Sequence, residues 1–236
     1  MAERHDEQTP WRRFRDRRDA GSRLAEELAR YRERDDVIVL GLPRGGIPVG
    51  FEVAAALGAP FDAMLVRKLG VPQHEELAMG AIASGDVRVI NEDVVMALEL
   101  DEETIAAAAA REQRELERRE LLYRRGAPAP EVDGRIAILV DDGLATGATM
   151  RAAAAALRAR GPRRVVAAVP VASPEACAEL EAHVDEVICA VTPPSFGAVG
   201  AWYDRFEPPT DEEIVDLLAR GRSREADAQL SRAGRG

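Results

Sequence analysis

Short, continuous runs of apolar residues recur along this chain, and most of them are followed by stretches with helical patterning. Runs of this length are typical of strands that are buried on both faces of a parallel sheet. Their alternation with helices predicts an α/β protein with an open, mainly parallel sheet and helices on both faces. The predicted strands cover residues 37–42, 62–67, 136–140, 165–170 and 186–191.

The helices are predicted from capping residues and from the spacing of apolar positions. The longest, from Asp101 to about Arg124, is polar around much of its circumference, so we expect it on the surface or against another subunit. Between residues 70 and 100, Gly85-Asp86 separates two short apolar runs and predicts a hairpin turn. The other predicted helices are 23–33 (capped by Ser22), 48–57, a short one after Asn91, 150–160, one after Ser173-Pro174, and 211–219.

These patterns predict one domain over residues 21–220, with a helical insertion at about 91–134. Residues 1–20 are polar and rich in arginine, which predicts a loosely ordered arm that Phe14 could anchor. The tail from 221 to 236 is also polar and rich in arginine and glycine, so we expect it to be disordered.

The composition narrows the possible partners. The chain has 236 residues, of which 46% are hydrophobic and 4% aromatic, and its formal net charge is −10. This acidic balance argues against nucleic acid as a partner, because duplex binding depends on neutralising many phosphates. No apolar run approaches the length that spans a bilayer, and the N-terminus is charged and unlike a signal peptide, so we expect no membrane association.

Few residues outside the strand ends suggest chemistry. Cys177 and Cys189 fall in a predicted helix and a predicted strand without metal-ligand spacing, and we expect two reduced core cysteines and a cytoplasmic location. The three histidines are scattered and indicate no catalytic or metal site. Lys68 is the only lysine among the 32 basic residues, which draws attention to its position.

The most informative segment follows the predicted strand 136–140. Asp141 and Asp142 stand at its carboxyl end, where ligands bind in open parallel sheets. The small residues after them run into a helix, and backbone N–H groups in such a loop can hold an anion with help from the helix dipole. Thr146 and Thr149 add hydroxyl groups there. Carboxylates beside an anion loop favour a sugar phosphate as the ligand.

An Asp-Asp-Gly after a strand is by itself more often an ordinary turn, but the complete pattern through Thr149 is more specific. It resembles the phosphoribosyl-pyrophosphate (PRPP) motif of the type I phosphoribosyltransferases. The resemblance implies that Asp141 and Asp142 receive the ribose 2′ and 3′ hydroxyls. It also implies that a loop holds the 5′-phosphate through Leu144, Ala145, Thr146, Gly147, Ala148 and Thr149, although many members have glycine where this chain has Ala148.

Two further segments support the resemblance, although each alone is as easily read as a structural turn or a solvated charge pair. Pro43-Arg44-Gly45-Gly46 is similar to the pyrophosphate loop of these enzymes, which commonly contains a non-proline cis peptide, here expected at Arg44–Gly45. Arg67-Lys68 resembles the pair that follows the second strand in adenine phosphoribosyltransferases. Arg44, Gly45, Gly46, Arg67 and Lys68 would then bind pyrophosphate.

The resemblance also implies a C-terminal hood over the acceptor and a mobile lid. The hood would lie at about 192–206, with Phe196, Trp202 and Tyr203 as its aromatic wall, although aromatic residues in such a loop more often close the edge of the core. The lid could be 70–78 or 119–134. Arg124 and Arg125 slightly favour the later segment.

The implied reaction is Mg²⁺-dependent transfer of phosphoribose from PRPP to a nitrogen acceptor, usually a nucleobase, with release of pyrophosphate. Asp141, Asp142, Arg44 and Lys68 would be the catalytic residues, and Mg²⁺ would lie near the two aspartates through ribose hydroxyls or water. The family is usually dimeric. The alternative is a regulator on the same fold that binds PRPP without chemistry. A Mg²⁺ phosphatase is disfavoured because the aspartates are adjacent and do not alternate as Asp-x-Asp.

Overall fold

The computed structural model of the chain describes residues 12–72 and 74–233, apart from the side chains at 75, 76 and 225–233. Its eight strands form two sheets. The strands are β1 (Val37–Gly41), β2 (Phe61–Ala63), β3 (Val66–Val71), β4 (His74–Ala83), β5 (Val87–Ile90), β6 (Ile136–Val140), β7 (Arg164–Val171) and β8 (Glu186–Val191). The helices are α1 (Arg17–Glu27), α2 (Gly46–Leu57), α3 (Glu92–Ala97), α4 (Glu102–Arg124), α5 (Ala148–Arg158), α6 (Pro174–Glu181) and α7 (Asp211–Ala233).

The main sheet confirms the predicted α/β architecture. Its five strands are all parallel, in the order β2-β1-β6-β7-β8, with Val37 opposite Ile136 and Gly41 opposite Val140. Alternate residues of β1 and β6 enter different cores, as the period of a strand requires. One core contains α1, α2, α4 and α7, and the other contains α5 and α6, so helices cover both faces.

The predicted strand 62–67 is wrong in its second half. The parallel strand ends at Ala63, and the chain then enters a second, antiparallel sheet of order β3-β4-β5. Met64 and Leu65, between the two strands, are both buried, which keeps the apolar run continuous while the pairing partner changes. The predicted hairpin turn is present at Gly85-Asp86, where both residues have positive φ.

Both ends of the described chain are more helical than predicted. Helix α1 begins at Arg17, within the expected loose arm 1–20, because the Asp16 side chain accepts hydrogen bonds from the N–H groups of Arg18 and Asp19. Ser22 therefore lies inside the helix and caps nothing. Residues 1–11 and 234–236 lie outside the described residues.

Helix α7 continues to Ala233, so the expected end at Ala219 and the expected disorder from 221 are wrong for 221–233. The reason is packing. Gly221 lies so close to the Phe61 ring that a β-carbon there would overlap it, and the guanidinium of Arg220 lies 4.8 Å from the centre of the Phe51 ring. These contacts dock a polar segment that the composition alone would leave unfolded.

The two cysteines are neighbours in space, which their separation in the sequence did not suggest. The Sγ atoms of Cys177 on α6 and Cys189 on β8 are 2.7 Å apart, and both residues are half-buried free thiols. Within the described ranges, no helix is long and apolar enough to cross a membrane.

Candidate functional site

The acidic doublet lies at the carboxyl end of β6, the central strand of the main sheet. The backbone N–H of Asp142 donates to Asp141 Oδ1 at 2.9 Å. Burial and the neighbouring charge of Asp142 raise the pKa of Asp141 well above its ordinary value. Burial also raises the pKa of Asp142, and the guanidinium of Arg17 opposes that rise. Two crowded, desolvated carboxylates of this kind mark a candidate binding or catalytic site.

Arg17 is a residue of this site that sequence reasoning missed. Its Nε and Nη2 both lie 2.8 Å from Asp142 Oδ2, and its Nη1 donates to the Glu207 carbonyl at 2.7 Å. The guanidinium also lies 4.1 Å from the centre of the Phe206 ring. No signal in the sequence distinguished this arginine from the others in the polar N-terminal segment.

The loop after the doublet is hydrogen-bonded to neighbouring residues, but most of its own N–H groups have no partner among the described residues. The N–H of Leu144 donates to the Val171 carbonyl, and the hydroxyl of Ser173 donates to the Ala145 carbonyl. Gly147 has a φ of 70°, and α5 begins at the next residue, Ala148, where a methyl group is tolerated. Among the described residues, no hydrogen bond uses the N–H groups of 145–149 as donors. These groups can therefore receive an anion, whereas the N–H of Leu144 is already used.

The predicted pyrophosphate loop packs directly against the doublet. A β-carbon on Gly45 would overlap the Asp142 carboxylate, and one on Gly46 would overlap the Val140 carbonyl, so this approach requires glycine at both positions. The cis peptide lies between Pro43 and Arg44, one bond earlier than expected. The Arg44 side chain is half-exposed and turns towards α7, with Nε 3.6 Å from Asp211 Oδ1.

Arg67 and Lys68 lie on β3 of the small sheet and not at the end of a parallel strand. They line a cavity of about 410 Å³ that also borders Pro43 of the pyrophosphate loop and Thr149 of the phosphate loop. Helix α4 contributes Arg111, Arg119 and Glu112 to the same cavity, and sequence reasoning assigned none of them to the pyrophosphate site. Arg67 is paired with Glu112, its Nη2 lying 2.6 Å from Oε2. Among the described residues, four basic side chains and one acidic side chain line the cavity, a balance that suits a polyanion.

The aromatic residues of the predicted hood are mostly internal. Tyr203 is buried against Phe14 and Phe206, and its hydroxyl donates to the Asp142 carbonyl at 2.6 Å. Trp202 is also buried, and its indole N–H donates to the Phe196 carbonyl at 2.9 Å. This placement favours closure of the core edge, the alternative to an open acceptor wall. Tyr203 instead supports the doublet through the hydrogen bond from its hydroxyl to the Asp142 carbonyl.

The position of Arg124 removes one argument for residues 119–134 as the lid. Arg124 is buried, with Nη1 2.8 Å from Asp62 Oδ2 and Nη2 2.9 Å from the Ala63 carbonyl. It is therefore a structural anchor for the end of α4 and is not free to close over a ligand. The exposed Arg125 ends the helix with a φ of 50°.

The family of this chain follows from its similarity to known proteins. Residues 13–204 match the family model described as the phosphoribosyl transferase domain. The chain belongs to the phosphoribosyl transferase family. The matched region runs from the segment before Arg17 to the residue after Tyr203, so it contains the doublet, both loops, Arg17 and Tyr203.

Two kinds of relative are similar to this phosphoribosyl transferase domain. A protein provisionally named a phosphoribosyl transferase, found in two strains of Mycobacterium tuberculosis, is 48% identical over 207 residues, which are 88% of this chain and 46% of the relative. The chain thus spans about half the length of these curated relatives. The crystal structure of TT1426 from Thermus thermophilus is 46% identical, covers 87% of this chain and 97% of that one, and superposes with a TM-score of 0.81.

Proposed function

We propose that this domain transfers phosphoribose from PRPP to a nitrogen acceptor and releases pyrophosphate. One observation carries the proposal: the acidic doublet, the open phosphate loop and the glycine-rich turn meet at one edge of the sheet, with Gly45 packed against Asp142. A ligand held there would need hydroxyl groups and phosphate on the same molecule. PRPP combines both.

In the proposed complex, Asp141 and Asp142 accept hydrogen bonds from the ribose hydroxyls. The N–H groups of 145–149 and the hydroxyls of Thr146 and Thr149 hold the 5′-phosphate at the start of α5. Leu144 supports the loop but contributes no N–H, because that group bonds to Val171.

The diphosphate would be held by the backbone N–H of Gly45 and by the cations around the 410 Å³ cavity, whereas Gly46, which was also expected there, contributes no N–H because that group donates to the Leu42 carbonyl. Arg67 and Lys68, which were expected to bind pyrophosphate, line this cavity, and Arg111 and Arg119 of α4 join them. Arg44 was expected to bind the same group, but it lies outside the cavity and turns towards Asp211. In the reaction, the bond from C1′ to the diphosphate oxygen breaks and its electron pair leaves with pyrophosphate. The acceptor nitrogen then bonds to C1′ and loses its proton. Because positive charge develops on the ribose, catalysis rests on holding both groups, and no protein nucleophile is required.

Magnesium fits this site only with help from the substrate. The described part of the chain contains no cluster of three or more histidine, cysteine, aspartate or glutamate side chains that could hold a metal ion. The doublet offers two carboxylates, one of which is bound to Arg17. Bound Mg²⁺ would neutralise charge on the leaving diphosphate, and Asp141 and Asp142 would hold it through ribose hydroxyls or water.

The test is release of pyrophosphate when PRPP is mixed with a panel of nucleobases and amines, with Mg²⁺ or with a chelator. We expect release with at least one acceptor, and loss of turnover by about 100-fold or more in Asp142→Asn and in Arg44→Ala without loss of the fold. Arg118→Ala, on an exposed face of α4, is the control and should keep full activity. Full activity of both site variants would refute the site.

The same experiment separates the enzyme from the PRPP-binding regulator. A regulator would bind PRPP in calorimetry, lose that binding in Asp142→Asn, and release no pyrophosphate with any acceptor. A homodimer is also proposed, and light scattering of the full chain tests it.

A further inference from the structure

Arg17 contacts the doublet and two further groups, the Glu207 carbonyl and the Phe206 ring. Only about a tenth of its side chain is exposed, and its donors reach both Asp142 Oδ2 and the Glu207 carbonyl. The Phe206 ring covers one face of the guanidinium. An arginine held on three sides has little freedom to leave, so its charge is a permanent part of the site.

The helix that carries Arg17 is firmly packed. Ala20, Gly21, Leu24 and Ala25 are its buried residues, and Gly21 lies so close to α2 that a β-carbon would contact the Val49 carbonyl at 2.7 Å. Helix α1 therefore forms part of the core, and Arg17 does not act as a latch that swings away when a ligand arrives.

The contact is also one-sided. Both guanidinium donors reach Oδ2 of Asp142, and no hydrogen bond from a described residue reaches Oδ1. The hydroxyl of Tyr203 donates to the backbone carbonyl of Asp142 and so fixes the same residue. Asp142 is thus oriented by two neighbours while one carboxylate oxygen remains for a ligand.

We propose that Arg17 is a positioning residue, which favours the ionised form of Asp142 and aims its second oxygen at the ribose hydroxyls of PRPP. The inference rests on the proposed function. Its physical basis is the repulsion between adjacent buried carboxylates, which a nearby fixed cation offsets. Two charged groups face the Asp142 side chain, Asp141 just after β6 and Arg17 from α1. The uncharged backbone of Gly45 also faces it, and the Tyr203 hydroxyl lies at the Asp142 backbone carbonyl.

The test compares Arg17→Met with Arg18→Met in the full chain. Arg18 is the next residue on the same helix, but it is exposed and pairs with Glu52. PRPP affinity is measured by calorimetry across the pH range in which the protein stays folded. We expect Arg17→Met to weaken binding at neutral pH by about tenfold or more, and to move the acid limb of the binding profile to higher pH. Arg18→Met should leave affinity and profile within about twofold of the wild type.

Two further variants guard against simple unfolding. Arg17→Lys retains the charge but loses the forked geometry, so it should restore the position of the acid limb more than it restores affinity. Phe206→Leu removes the stacked ring and should move the limb in the same direction as Arg17→Met, but by less. A folded Arg17→Met or Phe206→Leu protein with an unchanged acid limb would overturn the proposal.

The carboxyl pKa of Asp142 provides a readout that does not depend on PRPP. It is measured by carbon-13 NMR of aspartate-labelled protein, with the signal assigned through Asp142→Asn. A higher pKa in Arg17→Met supports the electrostatic role even if PRPP does not bind the wild type, an outcome that would reject the proposed function alone. An unchanged pKa rejects the inference while leaving the proposed function in place.

Discussion

Two buried arginine–aspartate pairs in this molecule have the same composition and different meanings. Arg124 pairs with Asp62 within the edge strand β2, and Arg17 pairs with Asp142 just after the central strand β6, each with a closest N–O distance of 2.8 Å. Both arginines come from helices that pack in the same core. The pairs differ in whether a carboxylate oxygen remains without a hydrogen-bond partner among the described residues.

At Asp62, both carboxylate oxygens are satisfied within the protein. Oδ2 accepts from Arg124 and Oδ1 accepts from the Ala63 N–H at 2.7 Å. At Asp142, only Oδ2 has a hydrogen-bond partner among the described residues. A buried carboxylate whose oxygens are all bonded is a structural device, whereas one with an oxygen to spare beside an open loop is a candidate ligand site.

The largest expected effect concerns the structural pair. Arg124→Met removes the hydrogen-bonded partner of the buried Asp62 charge and leaves only Arg222, whose Nη1 lies 4.0 Å from Oδ1, so it should lower the free energy of unfolding by about 3–5 kcal/mol. Urea denaturation measures the change. Arg118→Met, which breaks an exposed pair with Glu115, is the control and should leave the denaturation midpoint almost unchanged. Equal losses in the two variants would remove the distinction between buried and exposed pairs.

The next effect concerns the contact between Gly45 and the Asp142 carboxylate, which is closest at Oδ2. Gly45→Ala places a methyl group where the carboxylate lies, so PRPP affinity should fall by about 100-fold, or about 2.7 kcal/mol. Gly58→Ala is the matched control, because its φ is 67° but a β-carbon there meets nothing within 4 Å. It should lower stability by about 1 kcal/mol and leave PRPP binding unchanged. Unaltered binding in Gly45→Ala would separate the two loops that we have joined.

The smallest expected effect is on stability, which the raised pKa of Asp141 lowers at neutral pH. Because the folded pKa of Asp141 lies above its ordinary value of 3.8, its ionised form destabilises the fold at any pH above 3.8. Asp141→Asn should therefore raise the melting temperature at neutral pH, by about 2–4 °C if the relief is about 1 kcal/mol. The gain should shrink as the pH falls and vanish below 3.8. A gain that grows towards acid pH would contradict the direction of the shift. Asp62→Asn tests the contrast, because it should destabilise the protein.

The main features of the sheet and of the doublet were predictable because their signals are local. A continuous apolar run reports burial on both faces, and a carboxylate doublet followed by small residues reports a strand end and a loop. The error at Arg67 and Lys68 has the same origin. The run from Ala63 to Val66 stays apolar while the chain changes sheets, so hydrophobicity alone could not show where the parallel strand ends.

Arginine pairing was not predictable. All but one of the 32 basic residues are arginine, so no arginine stands out by type. Arg17 meets a partner 125 positions away, and Arg124 meets one 62 positions away. The same limit applies to Arg111 and Arg119, which looked like the charged surface of a long helix until α4 was seen beside the cavity.

By itself, the amino-acid sequence determined the parallel α/β sheet, the position of the doublet at a strand end and the glycine-rich turn that has to lie near it. These properties depend on periodicity and on the backbone freedom of a few residues, which are written locally. The tertiary structure alone decided which cation faces which carboxylate, and therefore which aspartate is used up by the fold and which keeps an oxygen for a ligand. That decision is made by long-range packing of helices on the sheet, because charge pairing has no period along the chain.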